Sequence, residues 1–306
     1  MNIITGEKFQ SLCHHHISKD EHKPFELRVD NHIDVDKFDF TDFDNDELVY
    51  CNSSLLNESK PKLIESKLYE KLKQFKNPFK LVLHNSDQNF GIIQLKYLDI
   101  PNCKKIYTQN INVVHDDVIP LPIGIANSFW KWGDVNALKR TIEKVQEERL
   151  TRIDIINLRN GEWDLLPKDI EIKSNFIYAN FTQAGGVRDV NRLECYENVE
   201  KQNIPFVENM EYKDYLNTLK TYKYCISPQG NGIDCYRMWE SLYLKVIPIC
   251  IRSVLVEYFA KLFPIYIIED WNDLDVKVLE KEYSNFNWNN YKLLDFNNYI
   301  KYIGLI

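Results

Sequence analysis

The chain has 306 residues, a length that points to two domains of ordinary size, each with its own core. Hydrophobic residues make up 44% and charged residues 27%, the balance of a globular protein rather than of a disordered tail or a membrane protein. Lysine plus arginine (38) against aspartate plus glutamate (45) gives a net charge of −7, so no nucleic-acid or anionic-membrane partner is expected, and an anionic ligand needs a local site.

Short apolar runs alternate with amphipathic stretches, which predicts an α/β class with parallel sheets. In chain order the pattern predicts a strand at 2–5, a helix at 6–17, a strand at 48–51, a helix at 60–75 and a strand at 79–84. A helix at 91–98, a strand at 105–108, an apolar run at 118–125 and a long charged helix at 134–150 complete the first half. The second half repeats the alternation, with strands at 176–180, 224–227, 246–251 and 265–269 and helices at 191–201, 212–220, 234–244 and 255–262. Segment 151–173 mixes a strand-like TRIDII with an Asn160-Gly161 turn signal, which places a junction near 145–172. The expected domains are 1–150 and 151–306, two Rossmann-like halves facing a cleft, with the aromatic-rich terminal helices packing back toward the first.

The seven cysteines are scattered and form no CxxC pair, so neither a disulfide framework nor a zinc ribbon is expected, and a reducing, cytoplasmic setting fits. The amino-terminal segment lacks a signal-peptide core, and no run reaches ~18 apolar residues, so no membrane span is expected. The sequons at Asn52, Asn57 and Asn180 then read as chance matches. Asp42, Asp44 and Asp46 imitate the start of a calcium loop, but Glu47 stands where the loop needs its glycine and Ser53 where it needs a glutamate. His14, His15 and His16, as neighbours on a predicted helix, point in different directions and do not converge on a metal.

The segment YCISPQGNGIDCYRMWESLYLKVIPICI, 224–251, reads strand, glycine-containing turn, helix, strand. A turn with two glycines and an asparagine ahead of a helix offers free backbone N–H groups and the positive end of a dipole, the setting in which a phosphate binds. Asp234, Arg237 and Glu240 follow at three-residue spacing on one predicted helical face. A guanidinium binds two phosphate oxygens at once, and a carboxylate accepts from two ribose hydroxyls. Spacing alone leaves open a tight connection beside a surface ion pair. The pattern is neither GxGxxG nor GxxxxGK[ST], which disfavours a dinucleotide dehydrogenase and a P-loop NTPase.

SPQGNGIDCYRMWESLYLKVIPI resembles the donor-site motif of exostosin-like glycosyltransferases, with LVLHNSD at 81–87, LPIGIANSFWKWGD at 121–134 and FIYANFTQAGGVRDVNR at 176–192 similar to the same group. The resemblance implies a GT-B fold, acceptor side first and nucleotide-sugar side second. It implies that Gly230, Asn231, Gly232 and Asp234 form the donor turn, that Arg237 meets the diphosphate and that Glu240 meets the ribose. Asn180, Arg188 and Arg192 fall at the strand-to-helix turn opening the second half, where Gly185-Gly186 allows backbone freedom. Gln229 departs from a frequent arginine and Lys245 from a frequent glycine. Lacking an amino-terminal membrane helix, the chain is more similar to the group's soluble members from microbes, algae and large DNA viruses.

The implied reaction moves a sugar from a nucleotide-diphosphate donor to a hydroxyl of a glycan or similar acceptor, with inversion and no metal or other cofactor required. Arg237, with Arg188 or Arg192, stabilises the leaving diphosphate. Asp87, or second His84, at the carboxyl end of the 79–84 strand, is the expected base, unless HNSD merely closes a turn or caps a helix. Trp130 and Trp132, with Phe129, read either as a stacking surface for a sugar or as packing. Two other functions remain open at this level: a non-catalytic nucleotide-sugar or glycan binder, and a nucleotide-sugar-modifying enzyme such as an epimerase.

Overall fold

The computed structural model describes residues 1–18, 32–34, 47–56, 67–160, 173–183 and 189–306. The calcium-like Asp42, Asp44 and Asp46, the start of the predicted 60–75 helix, Gly185, Gly186 and Arg188 lie outside the described residues.

Among the described residues, two all-parallel sheets organise the chain. The first has the order β2-β1-β3-β4-β5-β6 and is built from β1 His15–Ser18, β2 His32–Asp34, β3 Glu47–Asn52, β4 Phe79–His84, β5 Cys103–Thr108 and β6 Val118–Pro120. The second has the order β10-β9-β8-β7, from β7 Asn175–Tyr178, β8 Tyr222–Ile226, β9 Ile247–Ile251 and β10 Tyr266–Ile268. Parallel strands covered on both faces read as unbroken apolar runs, which is why the runs at 48–51 and 79–84 were legible. Parallel pairing also gathers the carboxyl ends at one edge: Asn52 stands opposite His84, and Leu83 opposite Thr108. The loops after β3, β4 and β5 therefore share one rim.

The helices are α1 Gly6–Ser11, α2 Lys67–Leu72, α3 Val135–Asn160, α4 Asp189–Lys201, α5 Tyr212–Leu219, α6 Tyr236–Tyr243, α7 Val254–Ala260, α8 Val276–Glu282 and α9 Phe296–Tyr302. Several expectations need correction. Residues 2–5 form no strand, because Ile3 bridges Asp295 and Thr5 bridges Ile125, two unrelated segments that cannot build one ladder. The predicted 6–17 helix stops at Ser11, and β1 follows, burying Ile17 completely between β2 and β3. His14, His15 and His16 are thus not helical neighbours. His15 pairs with Glu47, His16 Nε2 contacts the Cys13 carbonyl at 2.8 Å, and the Leu48 amide donates to His14 Nδ1 at 3.2 Å. The 92–99 helix is 3-10 rather than α, and TRIDII continues α3 instead of forming a strand, so residue 150 falls inside that helix.

One apolar core runs from the first sheet through α6 to the carboxyl-terminal segment, with Val82, Tyr107, Trp239, Tyr243, Tyr299 and Leu305 all buried. The terminal helices pack on the first sheet as expected. The Tyr299 hydroxyl donates to the Pro120 carbonyl at 2.9 Å, Tyr107 to Gly304 at 2.8 Å, and the Phe296 amide to Asn2 at 2.7 Å. Tyr243 of α6 ties all three parts together, accepting from the Ile4 amide and donating to the Leu294 carbonyl, both at 2.8 Å. Among the described residues no helix is long and apolar enough to cross a membrane.

Candidate functional site

At the carboxyl edge of the second sheet a cavity of about 530 Å³ is lined by Asn180, Arg192, Arg237 and Glu240, with Tyr178, Tyr212, Tyr215 and Lys131. Arg237 and Glu240 share one face of α6, as their spacing predicts. They form no surface ion pair. Glu240 is 4% exposed, and its two oxygens accept from the hydroxyls of Tyr212 at 3.0 Å and Tyr215 at 2.7 Å, both on α5. Burial raises the Glu240 carboxyl above its ordinary range, opposed by the Tyr215 hydrogen bond, the Arg237 charge and the Tyr212 hydrogen bond. About half the acceptor capacity of the carboxylate is committed within the protein, so its expected ribose contact has only the remaining lone pairs. Sequence reasoning missed the two tyrosines, although their i, i+3 spacing on the predicted 212–220 helix was the available signal.

The Arg237 guanidinium makes no hydrogen bond or ion pair among the described residues, and its Nε is buried without a partner. The hydroxyl of the fully buried Tyr178, on the same cavity, is also unpartnered. An unsatisfied buried donor costs about 1–3 kcal/mol, more when it is charged, and no described residue supplies an acceptor to either of these two donors on the cavity.

Arg192 lines the cavity but is anchored to the fold. Its Nε donates to the Gln229 carbonyl at 2.9 Å and its Nη1 to the Thr182 carbonyl and hydroxyl at 3.1 and 2.8 Å. It joins α4, the strand end and the glycine turn. Asn180 holds the 207–209 loop, its amide donating to the Val207 carbonyl at 2.8 Å. The turn itself departs from expectation. Gly230, Asn231 and Gly232 do not line this cavity, and neither glycine has a positive φ. Gly232 instead permits close contact with the first sheet: a Cβ there would lie 2.6 Å from Asn110 Oδ1, which accepts from the Ile233 amide at 2.8 Å.

Asp234 requires a clearer correction. It precedes α6, whose N-cap is Cys235, and is 3% exposed. Its Oδ2 accepts from the Trp239 indole at 2.8 Å and from the Ile123 amide at 2.9 Å. The carboxylate joins the two halves of the chain rather than facing the cavity lined by Arg237.

At the edge of the first sheet a smaller cavity of about 230 Å³ is lined by His84, Asn85, Asp87, Gln109, Asn127 and Trp130, among others. His84 is a poor base. The Asn85 amide donates to its Nδ1 at 2.8 Å, Nε2 meets the Pro122 carbonyl at 3.1 Å, and burial lowers its pKa to about 4. Nδ1 also lies 3.2 Å from Asn85 Oδ1, so both ring nitrogens are engaged by the surrounding fold and protonation is disfavoured near neutral pH. Asp87 is exposed at the rim, and the next helix has Gly91, not Asp87, at its N-cap. Tyr236 lines both cavities, and its hydroxyl is raised by burial first and by the charge of Asp87 next. Trp130 on the smaller cavity and Trp132 on the larger stack on each other, with centroids 5.3 Å apart and planes at 8°. The two cavities are thus neighbours across Tyr236 and this aromatic pair.

No protein-family model matches the chain, that of the exostosin-like group included, and no curated protein matches it. Among solved structures, UDP-GlcNAc 2-epimerase from Methanocaldococcus jannaschii is similar at 10% identity and a TM-score of 0.41, over 98% of this chain and 94% of that one.

Proposed function

We propose that the protein is a glycosyltransferase of the GT-B type that uses a nucleotide-diphosphate sugar, with a donor side formed by residues after α3 and an acceptor side formed by those before it. The supporting observation is the buried Arg237 Nε, without a hydrogen-bond partner among the described residues, in a cavity that also carries the unpartnered Tyr178 hydroxyl, Lys131 and Arg192. A diphosphate supplies the acceptor oxygens these donors lack, and its charge suits a cationic lining. As the glycosidic bond to the donor breaks, negative charge grows on the leaving phosphate, where Arg237 holds it. The bond to the acceptor forms as its hydroxyl oxygen attacks from the opposite face across the Tyr236 junction, and its proton passes to Asp87 on the acceptor side. Inversion follows from that single displacement, and the guanidinium takes the charge-stabilising part without a metal.

Calorimetry with UDP, GDP and their sugar conjugates, followed by a product assay, tests the reading. Arg237→Lys keeps the charge and loses the planar fork, and a drop in nucleoside-diphosphate affinity of about tenfold or more is expected. Unchanged affinity removes Arg237 from the diphosphate site. A sugar altered without any acceptor indicates an epimerase, and binding without turnover indicates a binder.

A further inference from the structure

Resting on the glycosyl-transfer reading, we infer that the smaller cavity takes an uncharged saccharide as acceptor, seated against Phe129 and Trp130, with Trp132 stacked behind Trp130. Phe129, Trp130 and Trp132 are 41%, 38% and 40% exposed, a contiguous aromatic patch, whereas Trp239 and Trp271 are fully buried. Isolated exposed aromatics need no explanation, but a contiguous group at a cavity mouth is a contact surface. This patch is held in place. The Ser128 amide and hydroxyl donate to Glu7 Oε1 at 3.0 and 2.6 Å, and the Glu7 amide donates to Asn127 Oδ1 at 3.1 Å. The Trp130 amide donates to the Asn127 carbonyl at 3.0 Å, and the Gly133 amide to the Trp130 carbonyl at 2.8 Å. A Cβ at Gly133 would lie 2.1 Å from the Asn127 carbonyl oxygen, so this turn admits no side chain there. A pinned loop presents its rings without a large ordering cost on binding.

The lining identifies the ligand class. Asp87 is the carboxylate among the described residues lining the smaller cavity, His84 being held neutral by burial, and the polar remainder is Asn85, Ser86, Gln109, Asn127 and the Tyr236 hydroxyl. Amides and hydroxyls both donate and accept, as sugar hydroxyls do, and the C–H face of a pyranose fits an indole. With one carboxylate and no cation among its described lining residues, the cavity disfavours phosphate, sulfate or uronate. Lys131, Arg192 and Arg237 all stand on the neighbouring cavity, so the anionic donor and the neutral acceptor are sorted by charge.

The test is quenching of tryptophan fluorescence by cellotetraose, xylotetraose, maltotetraose and chitotetraose, with tetragalacturonate as the charged comparison. UDP and GDP binding is followed by calorimetry on the same protein. At least one neutral tetrasaccharide is expected to quench and to bind roughly tenfold or more tightly than the uronate. Trp130→Ala should weaken that binding by about tenfold, Trp130→Phe should restore part of it, and both should bind the nucleotide within about threefold of the parent. Failure of all four neutral sugars while a nucleotide binds overturns the inference and leaves the donor reading standing. Equal or tighter binding of the uronate, no effect of Trp130→Ala, or quenching by phosphatidylcholine vesicles in place of saccharides also overturns it. Loss of nucleotide binding altogether removes the reading on which it rests.

Discussion

The Tyr215 hydroxyl on α5 donates to Glu240 Oε2 on α6 at 2.7 Å, and this hydrogen bond opposes the effect of burial on the carboxyl. The Glu240 carboxyl lies above its ordinary range because burial outweighs its partners. Its ionisation therefore opposes folding: stability is highest below the ordinary carboxylate range and falls as pH rises through the raised value. Tyr215→Phe removes a hydrogen bond to that charge, a loss of about 1.5–3 kcal/mol when Glu240 is ionised. Urea denaturation should show a larger penalty at about pH 8 than at about pH 4, where the protonated carboxyl needs the donor less. An equal penalty at both values rules out this coupling.

His84 acts in the opposite sense. Its pKa is lowered by burial to about 4, so it folds neutral, and its contribution to stability is present at neutral pH. That contribution is lost as pH falls from about 6.5 through about 4, a change of roughly 3 kcal/mol at most. His84→Gln should flatten the stability profile across this window. It should not move the pH profile of turnover, whereas control of that profile by position 84 would reinstate His84 as the base.

Asp234→Ala leaves the Trp239 indole and the Ile123 amide without their acceptor, and a loss of about 3 kcal/mol or more is expected. Asp234→Asn retains an oxygen for the same donors and should lose less than half as much. Because Asp234 joins the two halves rather than lining the Arg237 cavity, the Asn variant should bind nucleotide nearly as the parent does. A large affinity loss in a stable Asn variant would return Asp234 to the donor site.

Lys245 has a φ of 55°, just past the end of α6, where the Val246 amide donates to the Ser241 carbonyl at 2.8 Å and the Lys245 amide to Leu242 at 3.2 Å. This is a Schellman ending, whose left-handed position is usually taken by glycine. The left-handed backbone costs a non-glycine residue about 1 kcal/mol, while the ammonium group lies 5.0 Å from the Tyr291 ring centroid, worth roughly 0.5–1 kcal/mol. Lys245→Gly should therefore be close to neutral, and Lys245→Ala, which keeps the strain and loses the ring contact, should be destabilised by about 0.5–1 kcal/mol. Thermal denaturation of the two variants checks the order, and an alanine variant more stable than the glycine variant contradicts it.

What the sequence determined by itself is what a short window can carry. The apolar run at 79–84 is β4, the 246–251 run is β9, and the spacing of Arg237 and Glu240 puts both on one face of α6 beside a cavity. Local periodicity and helical geometry suffice for these. The fate of His15–Ser18 was not local, because the strand is chosen by the space for Ile17 between β2 and β3 rather than by helix propensity.

Only the tertiary structure decided which polar groups find partners among the described residues and which do not. Asp234 reads as a donor-site residue until the Ile123 amide, 111 positions away, occupies its oxygen, and Gly232 reads as a phosphate turn until Asn110 fills the space beside it. Arg192 is anchored by Gln229 and Thr182, whereas Arg237, on a similar face and of the same chemistry, keeps a buried Nε without a partner. Sequence spacing places such groups on an element, but hydrogen-bond satisfaction depends on atoms brought within about 3 Å by chain segments far apart, and that requires the folded packing.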